Sequence, residues 1–541
     1  MPSVVFHAKA FSGLVHSLLI SGIVSGHGGP RAMAALPGVL ARYRFTTARE
    51  IEQGYYSCPE RLALIDDDGA LTYRQLRDQS RTLARHLHAR HGKDLRLGVM
   101  ARNGRGIILP LAAKGYAGAT IFLLNIGSSS EQLLGSMEEN RINALVIDEE
   151  FLDRLPTTYS HELEVIVGHH AGAAPEGYAT VESIVSDPEA VADVELPLFP
   201  KHGSIVLMSS GTTGIPKGIV RPEPSLPFVL TTIMANMPWR ADQKVQLTAS
   251  IFHTWGWACL NIALGARNTI VTRRVFDPEL TLQDIERYRL DGMLSSPVFY
   301  KRMIEFDPDG KYDTSSLKFI ASSGHALNEN LVHATVDRFG PILANVYGST
   351  ELTLAAVANA QQLLKEPTIG GSIANGTVLK ILDEDGNELP RGQVGEIYLS
   401  NSMTLTGYTK PGMEVKRVRG LVSIGDLGYI DAAGMLHVVG RADDMIIVGG
   451  ENVHPQSVSS ILESMPGIRD VHAGGTPDPD LFQRVVVWVV PTDDEVGRSL
   501  TADDIREYVR TNLADHSVPR DVHFRDDLPR NPTGKVVPRL L

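Results

Sequence analysis

The sequence contains few cysteines, since Cys58 and Cys259 are the only two in 541 residues. Two thiols so far apart in sequence supply neither a disulfide framework nor a cysteine-ligated metal site, and they indicate a reducing, cytoplasmic location. Basic residues are outnumbered as well: 51 Lys and Arg stand against 63 Asp and Glu, which leaves a formal charge of −12. Without blocks of Lys and Arg, the composition argues against nucleic acid as the main partner.

A long apolar run is also missing. The one candidate, residues 11–25, is shorter than the roughly 20 residues of a membrane-spanning helix, and it matches a secretory signal poorly. At helical spacing its apolar side chains fall on one stripe, formed by Phe11, Leu14, Val15, Leu18, Leu19 and Ile23. We predict an amphipathic helix that packs on its own domain. The alternative is peripheral contact of residues 11–25 with a membrane surface.

Apolar residues make up 43% of the chain, which is enough to form large cores. Its length predicts about three or four packing units. Short apolar runs alternate with helical patterns up to about Gly370, which indicates α/β layers. Short strands and an Asp-Gly turn then indicate a β meander, and helices and strands mix after Gly440. We predict an α/β fold with two α/β layered subdomains, a small β subdomain and a small α+β C-terminal domain.

Residues 209–218 read SSGTTGIPKG and directly follow the apolar run SIVLM. Glycines let the backbone approach a ligand closely, while hydroxyl and N–H groups donate to phosphate oxygens. The spacing differs from that of a Walker loop. An ordinary Gly-Pro surface turn is the alternative, but the density of Ser, Thr, Gly and Lys favours binding of the phosphates of ATP.

The string SSGTTGIPKG closely resembles the signature of the adenylate-forming superfamily, which contains acyl-CoA synthetases, luciferases and the adenylation domains of peptide synthetases. Further strings resemble that superfamily's motifs in the expected order, namely FHTWGW at 252–257, NVYGSTE at 345–351, SIGDLGYID at 423–431, GRADDMIIVGGENVHP at 440–455 and NPTGKVVP at 531–538. The ordered set covers most of the chain. It implies an N-terminal segment at 1–35, an AMP-binding domain at 36–440 and a mobile C-terminal domain at 441–541.

The resemblance implies a nucleotide site in which Tyr347 stacks on adenine, Thr350 contacts the α-phosphate and Glu351 binds Mg²⁺. Asp426 would bind the ribose hydroxyls, and Arg441 the ribose and phosphate. Taken alone, Tyr347 could equally be a core aromatic, and Asp426 a turn residue. The other nucleotide-binding residues that the resemblance implies are Ser209, Ser210, Gly211, Thr213, Gly214, Gly324 and Gly348, with Thr212 and Lys217 among the catalytic residues.

By the same resemblance Lys535 is a mobile catalytic lysine, and Asp443 is the hinge about which the C-terminal domain rotates between two half-reactions. Gly449, Gly450 and Asn452 would line the channel for the thiol of coenzyme A. After Pro455 this chain carries Ser457 and Ser459, where relatives commonly have acidic residues, which weakens the expectation for domain contacts and for the second half-reaction.

The string FHTWGW resembles the aromatic motif at the carboxylate end of the acyl pocket. His253 would then donate a hydrogen bond near the substrate carboxylate, since metal ligands at suitable spacing are missing from the sequence around it. Phe252 would contact the substrate, and Trp257 falls where bacterial long-chain acyl-CoA synthetases have a gating tryptophan. A purely structural role for Trp257 remains open.

The implied function is ATP-dependent activation of a carboxylic acid, by these motifs a fatty acid, to an acyl adenylate. Transfer to coenzyme A follows, with release of AMP and pyrophosphate, so the implied cofactors are ATP, Mg²⁺ and coenzyme A. Two alternatives stay open. One is a fatty acyl-AMP ligase that delivers the acyl group to a carrier protein, and the other is a non-catalytic protein that binds nucleotide or lipid.

Overall fold

A computed structural model gives the conformation of residues 4–25, 27–208, 216–222, 226, 228–410, 412–442, 444–448, 451–479, 481–531 and 534–541. We call residues 4–442 the large part and residues 444–541 the C-terminal domain. The phosphate-loop residues 209–215, the predicted hinge Asp443 and the glycines 449–450 lie outside the described residues.

The first section of the large part alternates helices and strands, as its apolar pattern predicts. Its elements are α1 (Val4–Ile20), α2 (Gly29–Tyr43), α3 (Thr47–Ser57), β1 (Leu62–Asp66), β2 (Gly69–Thr72), α4 (Tyr73–His91), β3 (Arg96–Met100), α5 (Arg105–Ala117), β4 (Thr120–Leu123), α6 (Ser130–Asn140), β5 (Ala144–Ile147), β6 (Glu164–Val167), β7 (Ala179–Thr180), α7 (Val181–Ser186) and β8 (Ile205–Met208). Helix α4 begins at a capping box, because the Thr72 and Gln75 side chains each accept from the other's backbone N–H.

The second section continues this alternation and then turns to short strands. Its elements are β9 (Gly218–Arg221), α8 (Phe228–Ala235), β10 (Lys244–Leu247), α9 (Thr254–Gly265), β11 (Thr269–Val271), α10 (Pro278–Tyr288), β12 (Gly292–Ser295), α11 (Pro297–Phe306), β13 (Phe319–Ser322), α12 (Glu329–Phe339), β14 (Leu343–Tyr347), β15 (Ala356–Ala358), α13 (Ala360–Lys365), β16 (Gly371–Ile373), β17 (Val378–Leu382), β18 (Gly395–Ser400), β19 (Gly407–Tyr408), β20 (Arg417–Val418), β21 (Leu421–Val422), β22 (Asp426–Ile430) and β23 (Met435–Arg441). The predicted Asp-Gly turn lies between β17 and β18, where Gly386 adopts a φ of +79°.

The C-terminal domain mixes helices with a separate sheet. Its elements are β24 (Ile446–Val448), β25 (Glu451–Val453), α14 (Pro455–Leu462), β26 (Ile468–Asp478), β27 (Phe482–Pro491), α15 (Glu495–Ser499), α16 (Ala502–Asn512) and β28 (Asp521–Phe524). Helix α16 begins at a capping box formed by Thr501 and Asp504.

Three sheets organise these elements. The first has the order β7-β6-β5-β3-β4-β8-β9-β19 and is parallel from β7 to β8. The second runs β2-β1-β11-β10-β12-β13-β14 and continues through β15 and β16 into the antiparallel β subdomain β23-β22-β18-β21-β20, with β17 on β18. The third is β25-β24-β27-β26, with β28 beside β27. The expected fold, two α/β layers with a β subdomain and a small C-terminal domain, is therefore confirmed, whereas the exact boundaries at 35 and 440 stay predictions.

The prediction for the N-terminal helix is correct in its helical character and wrong in its buried face. Leu14 and Ser17 of α1 are buried, as is Ser21 directly after the helix, while Phe11, Val15 and Leu19 of the predicted stripe are exposed. Burial of the two serines costs little, because their hydroxyls donate to backbone carbonyls three or four residues earlier. Among the helices of the described residues, none combines the length and the apolar character that crossing a membrane requires.

The C-terminal domain contacts helices α11 and α12 of the large part. The Asn328 side chain donates to Glu463 Oε2 at 2.8 Å, and that of Asn330 donates to the Glu463 carbonyl at 2.6 Å. Burial raises the pKa of Glu463 to about 7. At Gly534, where φ is +85°, a Cβ atom would lie 2.9 Å from Val298, so the loop that carries Lys535 packs directly on the start of α11. These contacts bring the C-terminal loop to the edge of the large part.

Candidate active site

The two strands that flank the phosphate loop form an antiparallel hairpin. Met208 at the end of β8 pairs with Gly218 at the start of β9, so residues 209–217 connect two adjacent strand ends. A Cβ atom at Gly218 would lie 2.6 Å from Thr409 Oγ1, and the Gly218 N–H donates to that hydroxyl at 3.2 Å. Glycine is therefore required where this loop rejoins the sheet. The predicted residues Ser209, Ser210, Gly211, Thr212, Thr213 and Gly214 lie outside the described residues.

Lys217, the last residue of the loop, contacts Glu351 and Tyr408. Its Nζ lies 3.6 Å from Glu351 Oε1 and 4.5 Å from the centre of the Tyr408 ring. The Tyr408 hydroxyl lies 3.4 Å from both the lysine nitrogen and the glutamate oxygen. Burial, together with the negative charge of Glu351, raises the pKa of Tyr408 to about 12. The sequence motifs indicate the lysine and the glutamate, whereas Tyr408 reaches them because β19 pairs with β9.

A second cluster joins the ends of three strands. The Tyr347 hydroxyl, at the end of β14, donates to the Asp426 carboxylate at the start of β22. Arg441, which pairs with Asp426 across β22 and β23, donates to Asp426 Oδ1 at 3.3 Å and to the Ile424 carbonyl at 3.0 Å. Burial raises the pKa of Asp426, although the Tyr347 hydrogen bond and Arg441 oppose this shift. The structure thus brings together three residues that the motifs predict to bind adenosine.

Two of the predicted glycines and Thr350 lie beside this cluster. Gly324 follows β13 with a φ of +98°, and the preceding Ser323 hydroxyl donates to the Val346 carbonyl at 2.7 Å. Gly348 packs on the backbone of Thr353 too closely for any side chain. Thr350 is half-buried and lies between Gly348 and Glu351 in sequence. The backbone after β13 and the backbone after β14 are therefore close neighbours, as a shared nucleotide site requires.

The aromatic motif forms the start of helix α9. His253 occupies the N-cap position, and the backbone N–H of Trp257 donates to its carbonyl at 2.9 Å. The centre of the Phe252 ring lies 4.2 Å from that of the His253 imidazole. The His253 Nε2 and Trp257 Nε1 atoms are buried and have no hydrogen-bond partner among the described residues. Burial and the positive charge of Lys535 lower the pKa of His253 to about 4, so its ring is neutral at pH 7. A neutral imidazole can donate one hydrogen bond, as the motif predicts.

Lys535 lies within electrostatic range of His253 and of Asp426. Its charge lowers the pKa of His253 and opposes the rise in the pKa of Asp426. Two hydrogen bonds fix the turn that holds it: the Asn531 N–H donates to the Lys535 carbonyl at 2.8 Å, and the Lys535 N–H donates to Asn531 Oδ1 at 2.9 Å. Asn452, which the resemblance assigns to the thiol channel, is part of β25, away from this turn in sequence. Its partners Gly449 and Gly450 lie outside the described residues.

A cavity of about 250 Å³ extends from Trp257 along α9. The α9 residues that line it are Trp257, Asn261, Ile262 and Gly265, which span about 12 Å at 1.5 Å per residue. Its other walls come from α1, α2, α3 and α8, and most of the lining is apolar, including Leu14, Leu18, Leu36, Leu40, Leu230 and Met234. Glu50 lies at the Gly265 end, where burial raises its pKa to about 7. The sequence motifs indicate Trp257 but not the N-terminal walls.

Arg221, the last residue of β9, is a further candidate that none of the sequence motifs indicates. Its guanidinium is 1% exposed, and its carbon Cζ lies 5.5 Å from the centre of the Trp257 ring. The available signal was a charged residue that ends an otherwise apolar strand, GIVR, directly after the phosphate loop.

Comparison with known proteins adds independent findings. The sequence model of the AMP-binding enzyme family matches residues 51–409, and that of the AMP-binding enzyme C-terminal domain matches residues 457–535. A putative acyl-CoA ligase, YdaB, of Bacillus subtilis is 26% identical over 88% of this chain and 94% of its own length. Feruloyl-CoA synthase of an Amycolatopsis species is 26% identical over 88% of this chain and 95% of its own length.

A solved structure shares the fold. The o-succinylbenzoate CoA synthetase of Bacillus subtilis, in complex with the acyl-adenylate intermediate OSB-AMP, superposes with a TM-score of 0.77. The match covers 90% of this chain and 96% of that one, at 22% identity.

Proposed function

The chain belongs to the AMP-binding enzyme family, and from that premise we propose that it joins a hydrophobic carboxylic acid to coenzyme A through an acyl adenylate. At the level that the comparisons support, it is an AMP-forming acid–thiol ligase of the adenylate-forming superfamily, and it uses ATP, Mg²⁺ and coenzyme A. The acid itself belongs to our proposal, because the relatives differ in the acids that their names give.

The observation that carries the proposal is the electrostatic connection of the predicted site residues through Asp426 and Lys535. Lys535 acts on His253 and on Asp426 of the Tyr347–Asp426–Arg441 cluster, and Glu351 of the Lys217–Glu351 pair also acts on Asp426. The apolar cavity begins at Trp257, one helical turn from His253. A nucleotide bound to the Tyr347–Asp426–Arg441 cluster would direct its phosphates towards Lys217. An acid whose chain fills the cavity would present its carboxylate on the His253 side.

In the first half-reaction, a carboxylate oxygen attacks the α-phosphorus of ATP, the bond to pyrophosphate breaks, and the acyl adenylate forms. Negative charge accumulates on the phosphate oxygens in the transition state, and fixed cations stabilise it most effectively in a site that excludes water. We assign this role to Lys217 and Lys535, together with Thr212. His253 would donate to the carboxylate, and Tyr347 would stack on adenine.

Glu351 is suited to hold Mg²⁺. Mg²⁺ in nucleotide sites is bound through one or two carboxylates plus phosphates and water, and Glu351 supplies one carboxylate, mostly buried, next to the phosphate loop. The ion supplies positive charge to the phosphate oxygens. Lys217 already offsets the charge of Glu351, which makes the carboxylate tolerable there before a cation binds.

In the second half-reaction, the thiol of coenzyme A attacks the acyl carbonyl, the bond to AMP breaks, and AMP leaves. We propose that rotation about Asp443 withdraws Lys535 and brings Gly449, Gly450 and Asn452 to the thiol. The described contacts of the C-terminal domain with the large part include the hydrogen bonds of Glu463 with Asn328 and Asn330, and polar contacts of this kind suit an interface that must open.

Within the class of carboxylic acids, we propose a fatty acid. The support is the size and the apolar lining of the cavity beyond Trp257, whose length of about 12 Å along α9 accommodates a flexible chain. One relative is named for an aromatic acid, ferulate, so an aryl acid is the competing outcome of the test.

The test is release of pyrophosphate from ATP over saturated acids of graded chain length and over aryl acids, each with and without coenzyme A. We expect release with fatty acids, and formation of acyl-CoA only when coenzyme A is present. Lys535→Ala is expected to lose pyrophosphate release while ATP binding is retained. Activity on aryl acids alone would refute the fatty-acid proposal, and acyl adenylate that accumulates despite coenzyme A would favour transfer to a carrier protein.

We also propose that the N-terminal helices meet a membrane surface. The exposed side chains of Phe11, Val15 and Leu19 form one stripe of α1, a helix that contains Lys9 and no acidic residue. An exposed apolar stripe on a helix without acidic residues can lie on a lipid surface. Replacing all three with Gln should reduce sedimentation with anionic vesicles, whereas Leu280→Gln, an exposed leucine on α10, should not. Equal sedimentation of both would refute contact through this stripe.

A further inference from the structure

Arg221 presents a buried charge without a partner. Its guanidinium is 1% exposed, and none of its three nitrogens has a hydrogen-bond partner among the described residues. Arg267, the comparable buried arginine of the chain at 2% exposure, instead donates to the Asp242 carboxylate and to the carbonyls of Gly22 and Ile23. Burial of a charge is costly unless it is paired, so the fold retains at Arg221 a cost that it avoids at Arg267.

The surroundings of Arg221 also lack partners. The indole N–H of Trp257, on whose ring the guanidinium lies, is buried and unpaired among the described residues. The same holds for Nε2 of His253, one helical turn away, and for the hydroxyl of Thr254. Burial lowers the pKa of Arg221 to about 9, partly opposed by Glu351, so the group is still charged at pH 7. A cation and neighbouring polar groups without partners form a site suited to an anion that the protein itself does not provide.

The position of Arg221 distinguishes between the two anions of the reaction. Along β9, Gly218 adjoins the phosphate loop, whereas Arg221 pairs with Ile205 at the opposite end of the hairpin. Three residues of strand separate these ends by about 10 Å. Trp257, which contacts the guanidinium, lines the apolar cavity. Arg221 therefore lies beside the acid cavity, at the end of β9 farther from the phosphate loop, and its charge also interacts with that of Glu351.

We propose that Arg221 binds a carboxylate of the substrate acid. The planar guanidinium can donate two parallel hydrogen bonds to one carboxylate, and the Trp257 indole N–H can donate a third. The inference rests on the proposed function, because it presumes an acid in the cavity beyond Trp257. Two carboxylates meet the chemistry, the reacting one of a monocarboxylic acid and a second one at the far end of a dicarboxylic acid.

Equilibrium binding to the full chain without ATP tests this directly. The probes are a fatty acid that the enzyme activates, the primary alcohol of the same length, and the dicarboxylic acid of the same length. The variants are Arg221→Met, which removes the charge, and Arg221→Lys, which keeps it. Arg289→Met is the matched control, because Arg289 is an exposed arginine at the C-terminal end of α10.

We expect the unaltered protein to bind the acid at least 10-fold more tightly than the alcohol. Arg221→Met should lose this preference with alcohol binding unchanged, Arg221→Lys should retain part of it, and Arg289→Met should leave it intact. In turnover, Arg221→Met should raise KM for the acid by 10-fold or more and leave KM for ATP within twofold. If only the dicarboxylic acid loses affinity, Arg221 binds the second carboxylate; if both acids do, it binds the reacting one.

The inference would be overturned if Arg221→Met bound both the fatty acid and the dicarboxylic acid as tightly as the unaltered protein does. A rise in KM for ATP alone would also overturn it, because that result would place a phosphate at Arg221. If Arg221→Met does not fold, Arg221→Lys and Trp257→Phe, which keeps the ring and removes the N–H, are judged by the same acid-to-alcohol ratio. Absence of pyrophosphate release with every acid would refute the proposed function separately, since the binding measurements do not require turnover.

Discussion

Lys217 Nζ lies 3.6 Å from Glu351 Oε1, and the Tyr408 hydroxyl contacts both groups. The carboxylate that we assign to Mg²⁺ is therefore held by a residue of the phosphate loop. Binding of a divalent cation would exchange this ion pair for a metal contact and release the ammonium towards the phosphates.

Glu351→Gln should consequently impair the first half-reaction through the metal. The amide keeps the size of the side chain but loses the charge that a hard cation prefers, so we expect pyrophosphate release to fall about 100-fold or more at low Mg²⁺. Raising Mg²⁺ should recover part of the activity. A Mg²⁺ titration measures this, with Glu305→Gln on the exposed surface of α11 as the control. An unchanged Mg²⁺ requirement would contradict the assignment.

Tyr347→Phe tests the adenosine cluster. The variant keeps the aromatic ring and removes the hydroxyl that donates to Asp426. A hydrogen bond to a charged group is worth about 1.5–3 kcal/mol, so we expect KM for ATP to rise about 10- to 100-fold while KM for the acid changes little. Tyr178→Phe, at an exposed tyrosine, is the control. A larger effect on the acid than on ATP would place Tyr347 elsewhere in the mechanism.

Because the pKa of Glu463 is raised at the domain interface, we expect the free energy of unfolding to depend on pH. Burial raises its folded-state pKa to about 7 from the ordinary value of 4.5, so the folded state binds the proton more tightly than the unfolded state does. This contribution to stability is complete below pH 4.5 and is lost as the pH rises through 7. Glu463→Gln, which stays neutral, should therefore melt near the parent at pH 4.5 and above it at pH 8.

Thermal melting of both proteins across that pH range is the measurement. Glu495→Gln, at an exposed residue of the C-terminal domain, should follow the parent at every pH. A difference between Glu463→Gln and the parent that stays constant with pH would mean that Glu463 is not protonated at the interface.

Ile262→Trp tests whether the cavity is the binding site of the acyl chain. Ile262 lines the cavity between Trp257 and Gly265, so a larger side chain there should shorten the space available to an acid. We expect activity on the longest accepted acids to fall at least 10-fold, with short acids affected less than threefold. Leu280→Trp on exposed α10 should leave the profile unchanged. A uniform loss over all chain lengths would instead indicate that the substitution disturbs α9 itself.

The adenosine cluster could be predicted from the sequence because its residues stand in motifs. Tyr347, Asp426 and Arg441 are distant along the chain, yet each occurs in a recognisable string, and the β22–β23 pairing then brings the last two together. Their roles remain predictions, but their proximity is a property of the fold. The α/β layers were predictable for a similar reason, since buried parallel strands are short, continuous apolar runs.

Arg221 and Glu463 could not be predicted in this way. Whether a charge is unpaired, or a carboxylate is buried at an interface, depends on which distant elements pack around it, and local pattern does not encode that. The prediction of which face of α1 is buried was wrong for a related reason. Helical periodicity treats Ser17 and Ser21 as outward-facing, but their bonds to the helix's own carbonyls let them face the interior.

The walls of the cavity have a consequence for how such an enzyme can diversify. Helices α1 and α2 contribute Leu14, Leu18, Leu36 and Leu40, and all four precede residue 51, where the match to the family model begins. The residues that we assign to the nucleotide all follow it. If the cavity binds the acid, as we propose, substitutions in residues 1–50 can change which acid is accepted without altering the residues assigned to the nucleotide, so that acid selection and acid activation can evolve independently.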